Sequence, residues 1–122
     1  MTDKSITAYE DLPFAPAVEG GSVDFAILWG DPSTGPVAFM VRLPEGYAEP
    51  WHFHSATYRA VLVKGAFQSR NRDGDDGPVR TLQPGAVVVQ PGGEVHSEVN
   101  AGDGDMVAFV YSEGPLDFIL AD

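Results

Sequence analysis

Two stretches of the chain, GYAEPWHFHSATYRAVLVKG (residues 46–65) and GAVVVQPGGEVHSEVN (residues 85–100), contain all three of its histidines. His52 and His54 are separated by one residue, and residues i and i+2 of a β-strand point to the same face. Two imidazoles on one face lie close enough to share a metal ion, and a strand from the far end of a barrel can bring His96 opposite them. Three nitrogen ligands that leave other positions open are typical of a catalytic metal site. The histidines therefore predict a site for one divalent metal ion.

Short apolar runs bounded by glycine, proline, asparagine or aspartate surround these stretches. In residues 36–43, Val37, Phe39, Val41 and Leu43 share one face of a predicted strand. Residues 58–70 form a long strand or a hairpin around Gly65, and the polar segment RDGDDGP (72–78) is a turn. No segment has a clear helical period. We predict about nine strands, at residues 22–30, 36–43, 48–54, 58–70, 79–85, 86–93, 94–100, 106–112 and 116–120.

The length of 122 residues suits one domain with a real core. Many short antiparallel strands predict an all-β double-sheet jelly roll or closed barrel, whose interior can hold a small ligand or a metal. Residues 1–21 are rich in proline and have no clear period, so we predict an N-terminal arm there. The β-barrel domain is then residues 22–122.

The composition excludes several classes of partner. There are 18 Asp and Glu against 7 Lys and Arg, so no basic surface is available for nucleic acid or for an anionic membrane. The chain has no cysteine, which excludes disulfides and thiolate chemistry.

The first residues, MTDKSITAYEDLPFAP, lack the apolar core of a secretory signal, and no apolar run approaches the length of a transmembrane helix. We therefore expect a cytoplasmic protein.

The spacing of the two stretches resembles the paired motifs of the cupin superfamily. The first motif is followed as Gly46, His52, His54, Tyr58 and Gly65, with the family's usual glutamate replaced by Tyr58. The second is followed completely, as Gly85, Pro91, Gly93, His96 and Asn100. A His-x-His pair alone is a weak signal, but the two motifs together are specific. The resemblance implies the cupin double-stranded β-helix and makes His52, His54 and His96 the metal ligands.

Without this glutamate, the ligand set resembles that of the three-histidine cupins, which include thiol dioxygenases and β-diketone-cleaving dioxygenases. The chain also resembles the small cupin domains of anti-sigma factors and the acetylacetone-cleaving dioxygenase. These resemblances imply Fe(II) as the favoured metal, with Zn or Ni as alternatives, because imidazole suits all three.

Four further residues are candidates for the site. The hydroxyl of Tyr58 can bind substrate or act as an acid or base, or it can belong to a half-buried aromatic side chain bonded to the backbone. Glu98 shares a face with His96 and either orients an imidazole or, as we favour, lies on the rim. Gln90 precedes the bend at Pro91 and is an inward candidate. Arg42 either binds an anionic substrate or, as we favour, is a solvated strand end.

Three hypotheses for function follow. The first is a dioxygenase that acts on a small dicarbonyl-like substrate. A variant of this hypothesis is a non-redox enzyme with Zn or Ni, in which Tyr58 is the base. The second is a sensor module that binds a metal or a small ligand, although no second domain is seen that would carry an output. The third is a barrel that has lost its metal. Because small barrels often cover an edge strand with a partner and cupins are commonly dimers, we also expect a homodimer.

Overall fold

The computed structural model describes residues 2–73 and 79–122 and contains two antiparallel β-sheets. A six-stranded sheet has the order β1-β2-β3-β9-β5-β7, and a four-stranded sheet has the order β10-β4-β8-β6. The strands are β1 Ala15–Pro16, β2 Asp24–Gly30, β3 Val37–Leu43, β4 His52–Phe53, β5 Tyr58–Lys64, β6 Phe67–Asn71, β7 Val87–Gln90, β8 His96–Asn100, β9 Met106–Ser112 and β10 Ile119–Leu120. This is the double-stranded β-helix that the sequence predicts.

The core lies between the inner faces of the two sheets. As predicted, Val37, Phe39, Val41 and Leu43 of β3 share the inner face, where Val37, Phe39 and Leu43 are buried. The core is completed by two groups of buried side chains, Leu62, Phe67, Met106 and Ala108 in one and Ala60 and Val110 in the other. Alternation with period two is what places these residues on one face of each strand.

Residues 58–70 do not form one strand. The chain leaves β5 at Gly65 and re-enters as β6 in the other sheet. Gly65 has φ +88°, and a Cβ there would lie 2.8 Å from the carbonyl oxygen of Asp105. Glycine is therefore required at this crossing between sheets.

The strand predicted at residues 79–85 is wrong. Only an isolated bridge forms there, between Leu82 and Phe67, which exchange backbone hydrogen bonds of 2.8 and 3.2 Å. Two residues later Pro84 lacks the N–H that a continued ladder needs. At the other end of the chain, residues 116–120 form only the two-residue strand β10. Residues 74–78 of the predicted polar turn at 72–78 lie outside the described residues.

The predicted N-terminal arm contributes to the larger sheet. Within residues 1–21, Tyr9–Asp11 form one turn of 3-10 helix and β1 pairs with the start of β2. Ala17 and Val18 then reach the cavity inside the barrel. Among the described residues, no helix is long and apolar enough to cross a membrane.

Candidate metal centre

The two short strands of the histidine motifs bring the three imidazoles together. His52 of β4 is the Cα partner of His96 of β8, and His54 follows β4 directly. The ring centroids lie 4.4 Å apart for His52 and His96, 4.9 Å for His52 and His54, and 5.3 Å for His54 and His96. One ligand atom from each residue lies within 4.8 Å of the others. The structure thus gathers the three side chains that the sequence predicts as ligands.

Backbone carbonyl groups fix the orientation of all three rings. Nδ1 of His52 donates to the carbonyl oxygen of Pro50 at 2.7 Å, and Nδ1 of His96 donates to that of Glu94 at 3.1 Å. Nδ1 of His54 donates to the carbonyl oxygen of Asp117. A carbonyl oxygen only accepts, so Nδ1 carries the proton in each ring and the lone pair is on Nε2. Three neutral imidazoles with their Nε2 lone pairs free are a suitable donor set for a divalent transition metal.

Burial keeps these rings neutral. His52 is 1% exposed and His96 is 0% exposed. Removal from water lowers the pKa of each to about 4 and also lowers the pKa of His54. Protons therefore do not compete with a metal for these nitrogens at neutral pH.

Tyr58 lies against this cluster from the adjoining sheet. Its hydroxyl oxygen is 3.3 Å from Nε2 of His96 and donates to Oε1 of Glu98 at 3.1 Å. Burial, together with the nearby carboxyl of Glu98, raises the pKa of Tyr58 well above its usual range. Within the part of the chain that the structure describes, the hydroxyl has side-chain partners rather than a backbone partner, and it stands beside the nitrogen that would hold a metal.

Glu98 is not on the rim. It is 9% exposed, and its Oε1 lies 3.9 Å from Nε2 of His96. Oε1 also accepts a hydrogen bond of 3.2 Å from the hydroxyl of Ser69. Burial raises the pKa of Glu98 to about 7. Glu98 shares a face of β8 with His96, as the alternation predicts, but that face is the interior of the barrel.

The other two candidates lie differently. Gln90 is buried opposite Tyr58 in the sheet, 3.5 Å from Asn71, and is not among the residues that line the cavity. Arg42 is not brought to the site. Its guanidinium bonds Asp24 at 2.7 Å and covers the ring of Phe14 at 4.2 Å.

Three residues that the sequence reasoning did not single out also form the site. Oε2 of Glu49 lies 4.0 Å from Nε2 of His52, and burial, with the nearby Glu98 carboxyl, raises the pKa of Glu49 to about 8. Phe118 stacks on the His52 ring at 4.1 Å between centroids. Asp117 accepts hydrogen bonds from the backbone N–H and the hydroxyl of Ser55. The short segment 117–118 thus supports both histidines of the first motif, and the only local signal for it is an acid and an aromatic residue before β10.

The cluster opens onto a cavity of about 460 Å³ between the sheets. Most of its walls are apolar, with Phe39, Val41, Leu62, Val88 and Met106 among them. Most of its polar lining residues lie at the metal centre: His52, His54, Tyr58, Glu49, Glu98 and Asp117. Such a site fits a small, largely apolar molecule with one polar end.

Several solved structures share this architecture. KdgF from Halomonas sp. is 20% identical, with 91% of this chain and 94% of that chain covered at a TM-score of 0.67. An uncharacterized conserved protein with a double-stranded beta-helix domain from Klebsiella pneumoniae is 18% identical, with 98% and 99% covered at a TM-score of 0.69. The DMSP lyase DddQ from Ruegeria pomeroyi is 23% identical, with 95% of this chain but 59% of that chain covered at a TM-score of 0.67. At these identities the likeness shows the fold.

No curated protein matches the chain. A family model described as "Domain of unknown function (DUF4437)" matches residues 9–119, which include both histidine motifs and strands β1 to β9. The chain therefore belongs to the DUF4437 family and has the fold and the three-histidine cluster of a cupin.

Proposed function

We propose that this protein is a metal-dependent enzyme that acts on a small, largely apolar substrate with oxygen atoms at one end. The observation that carries the proposal is the convergence of three imidazoles, one ligand atom of each within 4.8 Å of the others, whose rings are oriented by backbone carbonyl groups. Buried imidazoles oriented in this way are costly to maintain unless they serve a ligand. The apolar cavity beside them supplies the space for that ligand.

Among the reactions open to such a centre, we favour oxidative cleavage of a dicarbonyl-like substrate with Fe(II). Bound iron would supply a Lewis acid for the substrate oxygens and the electrons for dioxygen chemistry. The protein's part is to hold the enol oxygens near His52 and His54, to keep water out with the apolar walls, and to position the Tyr58 hydroxyl beside the reacting end. Cleavage would consume one dioxygen per substrate, with both oxygen atoms entering the products.

The experiment measures metal content after anaerobic purification, in wild type and in His96→Ala. We expect close to one iron per chain in the wild type and its loss in the variant. Oxygen uptake with 2,4-pentanedione, with Arg42→Ala as a control whose side chain lies outside the cavity, then tests the reaction. Absence of metal from both proteins after reconstitution would refute the proposal.

A second candidate is a non-redox enzyme, and the position of Tyr58 favours it. A hydroxyl 3.3 Å from a ligand nitrogen and hydrogen-bonded to a carboxyl is placed to move a proton at the substrate. Zinc or nickel in the purified protein, with solvent deuterium entering the substrate under anaerobic conditions, would support it. Tyr58→Phe should abolish the deuterium exchange and retain the metal. Metal binding with neither oxygen uptake nor exchange would favour the sensor module.

A further inference from the structure

Glu98 has one oxygen that the protein does not satisfy. Oε1 receives hydrogen bonds from the hydroxyls of Tyr58 and Ser69. Oε2 is buried and has no hydrogen-bond partner among the described residues. An unpaired carboxylate oxygen in the interior is costly, and native structures rarely keep one. A partner for Oε2 is therefore expected from outside the protein.

The cavity is the place from which that partner can come. Glu98 is one of the residues that line it, and most of the neighbouring wall is hydrocarbon. The side chain is also close to the metal centre, because Oε1 lies 3.9 Å from Nε2 of His96. A small molecule bound to the metal through oxygen would thus bring its adjacent atoms to Oε2.

The pattern of hydrogen bonds gives Oε2 the role of acceptor. Two hydroxyl groups already donate to Oε1, so the side chain is held as an acceptor, and the lone pairs of Oε2 are the ones left unused. The missing partner is then a hydrogen-bond donor, either an O–H or an N–H group.

We propose that Glu98 selects substrates that carry an O–H or N–H group next to the oxygen that binds the metal. The substrate class is a small hydroxy-carbonyl compound with a short hydrocarbon tail, the enol of a dicarbonyl included. The inference rests on the proposed metal-dependent function and specifies the ligand of that same site.

The test uses zinc-loaded protein and two chelating probes. Acetohydroxamate and N-methylacetohydroxamate bind metals through the same two oxygens, but only the first has an N–H group beside them. Calorimetry on the wild type should show acetohydroxamate binding about tenfold more tightly, the difference expected for one buried hydrogen bond to a charged group.

Glu98→Gln sharpens the test and keeps the side-chain shape. In this variant the hydroxyls of Tyr58 and Ser69 donate to the amide oxygen, so the amide NH₂ takes the place of Oε2. Two hydrogen-bond donors, this NH₂ and the N–H of the probe, then face each other. The preference for acetohydroxamate should vanish or reverse, while zinc affinity is kept. Glu113→Gln, the same change at an exposed glutamate that does not line the cavity, should retain the preference.

Several outcomes would overturn the inference. Equal binding of the two probes by the wild type, or an unchanged preference in Glu98→Gln, would do so. A crystal structure of the zinc–acetohydroxamate complex with Oε2 on zinc or on the carboxyl of Glu49 would also do so. Failure of the protein to take up zinc would instead defeat the proposed function itself, so the two failures are distinguishable.

Discussion

At the scale of single residues, the metal centre contains two buried carboxyl groups beside its three histidines. Glu49 and Glu98 come from different parts of the chain and are joined through the backbone, since Oε1 of Glu49 accepts the N–H of Glu98 at 3.3 Å. Their pKa values are raised to about 8 and about 7, chiefly by burial. Both groups therefore hold their protons in the folded, metal-free protein at pH values where the unfolded chain has lost them.

This difference makes the stability of the metal-free protein dependent on pH. From the unfolded pKa of 4.5 up to the folded values, the native state binds more protons, so stability falls as pH rises and the loss is complete above about pH 8. The histidines, whose pKa values are lowered, change the stability with pH only below their unfolded pKa of 6.5. Between about pH 6.5 and 8.5 we expect a loss on the order of 2 kcal/mol in unfolding free energy.

Urea denaturation with a chelator present measures this effect. Glu49→Gln stays neutral at every pH and should flatten the fall in stability, whereas Glu19→Gln at an exposed position should leave it unchanged. A wild type that is equally stable at both ends of this range would contradict the raised pKa values.

The side chain of Asn100 joins the end of β8 to neighbouring backbone through hydrogen bonds. Its buried amide nitrogen donates to the carbonyl oxygens of Leu43, Pro44 and Gly104 at 3.1, 3.0 and 2.9 Å. Its Oδ1 accepts the N–H of Gly102. The side chain thereby closes the turn that follows β8 and connects it to the end of β3.

Removing this amide should destabilise the barrel strongly. Asn100→Ala leaves buried carbonyl groups without a donor, so we expect a loss of about 3 kcal/mol. Asn100→Asp keeps an acceptor for Gly102 but loses the donors, and most of the loss should remain. Thermal or urea unfolding of the metal-free proteins measures both, and a loss below about 1 kcal/mol for both variants would show that water replaces the amide.

At the scale of elements, the turn before β8 and the loop after β4 are in close contact. Gly93 donates its N–H to the carbonyl oxygen of His54 at 2.8 Å. A Cβ at Gly92 would lie 2.7 Å from the carbonyl oxygen of Ser55. This contact sets the distance between the two histidine motifs.

Gly92→Ala should therefore weaken metal binding more than it weakens the fold. The clash is with backbone and moves the loop that carries His54, so we expect about a tenfold loss in zinc affinity, as is typical when the support of a ligand is disturbed. Gly102→Ala, at a turn outside the site, should bind zinc normally. Competition with a chromophoric chelator gives the affinities, and equal values for the two variants would refute the argument.

The motifs predict the elements that carry the ligands well, because residues i and i+2 have fixed relations in a strand. His52, His54 and His96 follow from this rule, as does the face of Glu98. Glu49 does not, because it precedes β4 in irregular chain and is held at the site by hydrogen bonds with Glu98, which is far away in sequence. The strand predicted at residues 79–85 is wrong for a related reason: among the described residues of this segment, Leu82 alone forms a β-bridge, and its partner Phe67 lies in the second half of the predicted long strand.

At the scale of the whole molecule, the larger sheet has an apolar outer face. Val87 pairs with Val61, Val61 with Phe109 and Phe109 with Met40 across four strands, and the ring of Trp29 lies 6.0 Å from that of Phe109. Trp29 and Val87 are 58% and 67% exposed. An exposed apolar row of this kind commonly marks an interaction surface.

The homodimer expected from the sequence remains a prediction, and this row is where we place its contact. A charge introduced at Val61 would be buried in such a contact, so Val61→Asp should be monomeric at concentrations at which the wild type is a dimer. Val79→Asp, at an exposed valine outside the row, should not change the mass. Sedimentation velocity decides, and a monomeric wild type would refute the prediction.

The support that segment 117–118 gives to His52 and His54 has a consequence for the lifetime of a bound metal. This segment adjoins β10, a two-residue strand at the edge of the smaller sheet, whereas β8 lies between β4 and β6 within that sheet. Short, exposed elements open locally far more often than the whole barrel unfolds. The rate at which the ion is released to a chelator should therefore be set by the local opening of residues 117–120. Amide hydrogen exchange at residues 117–120 should then report the same rate as metal release, well above the rate of global unfolding.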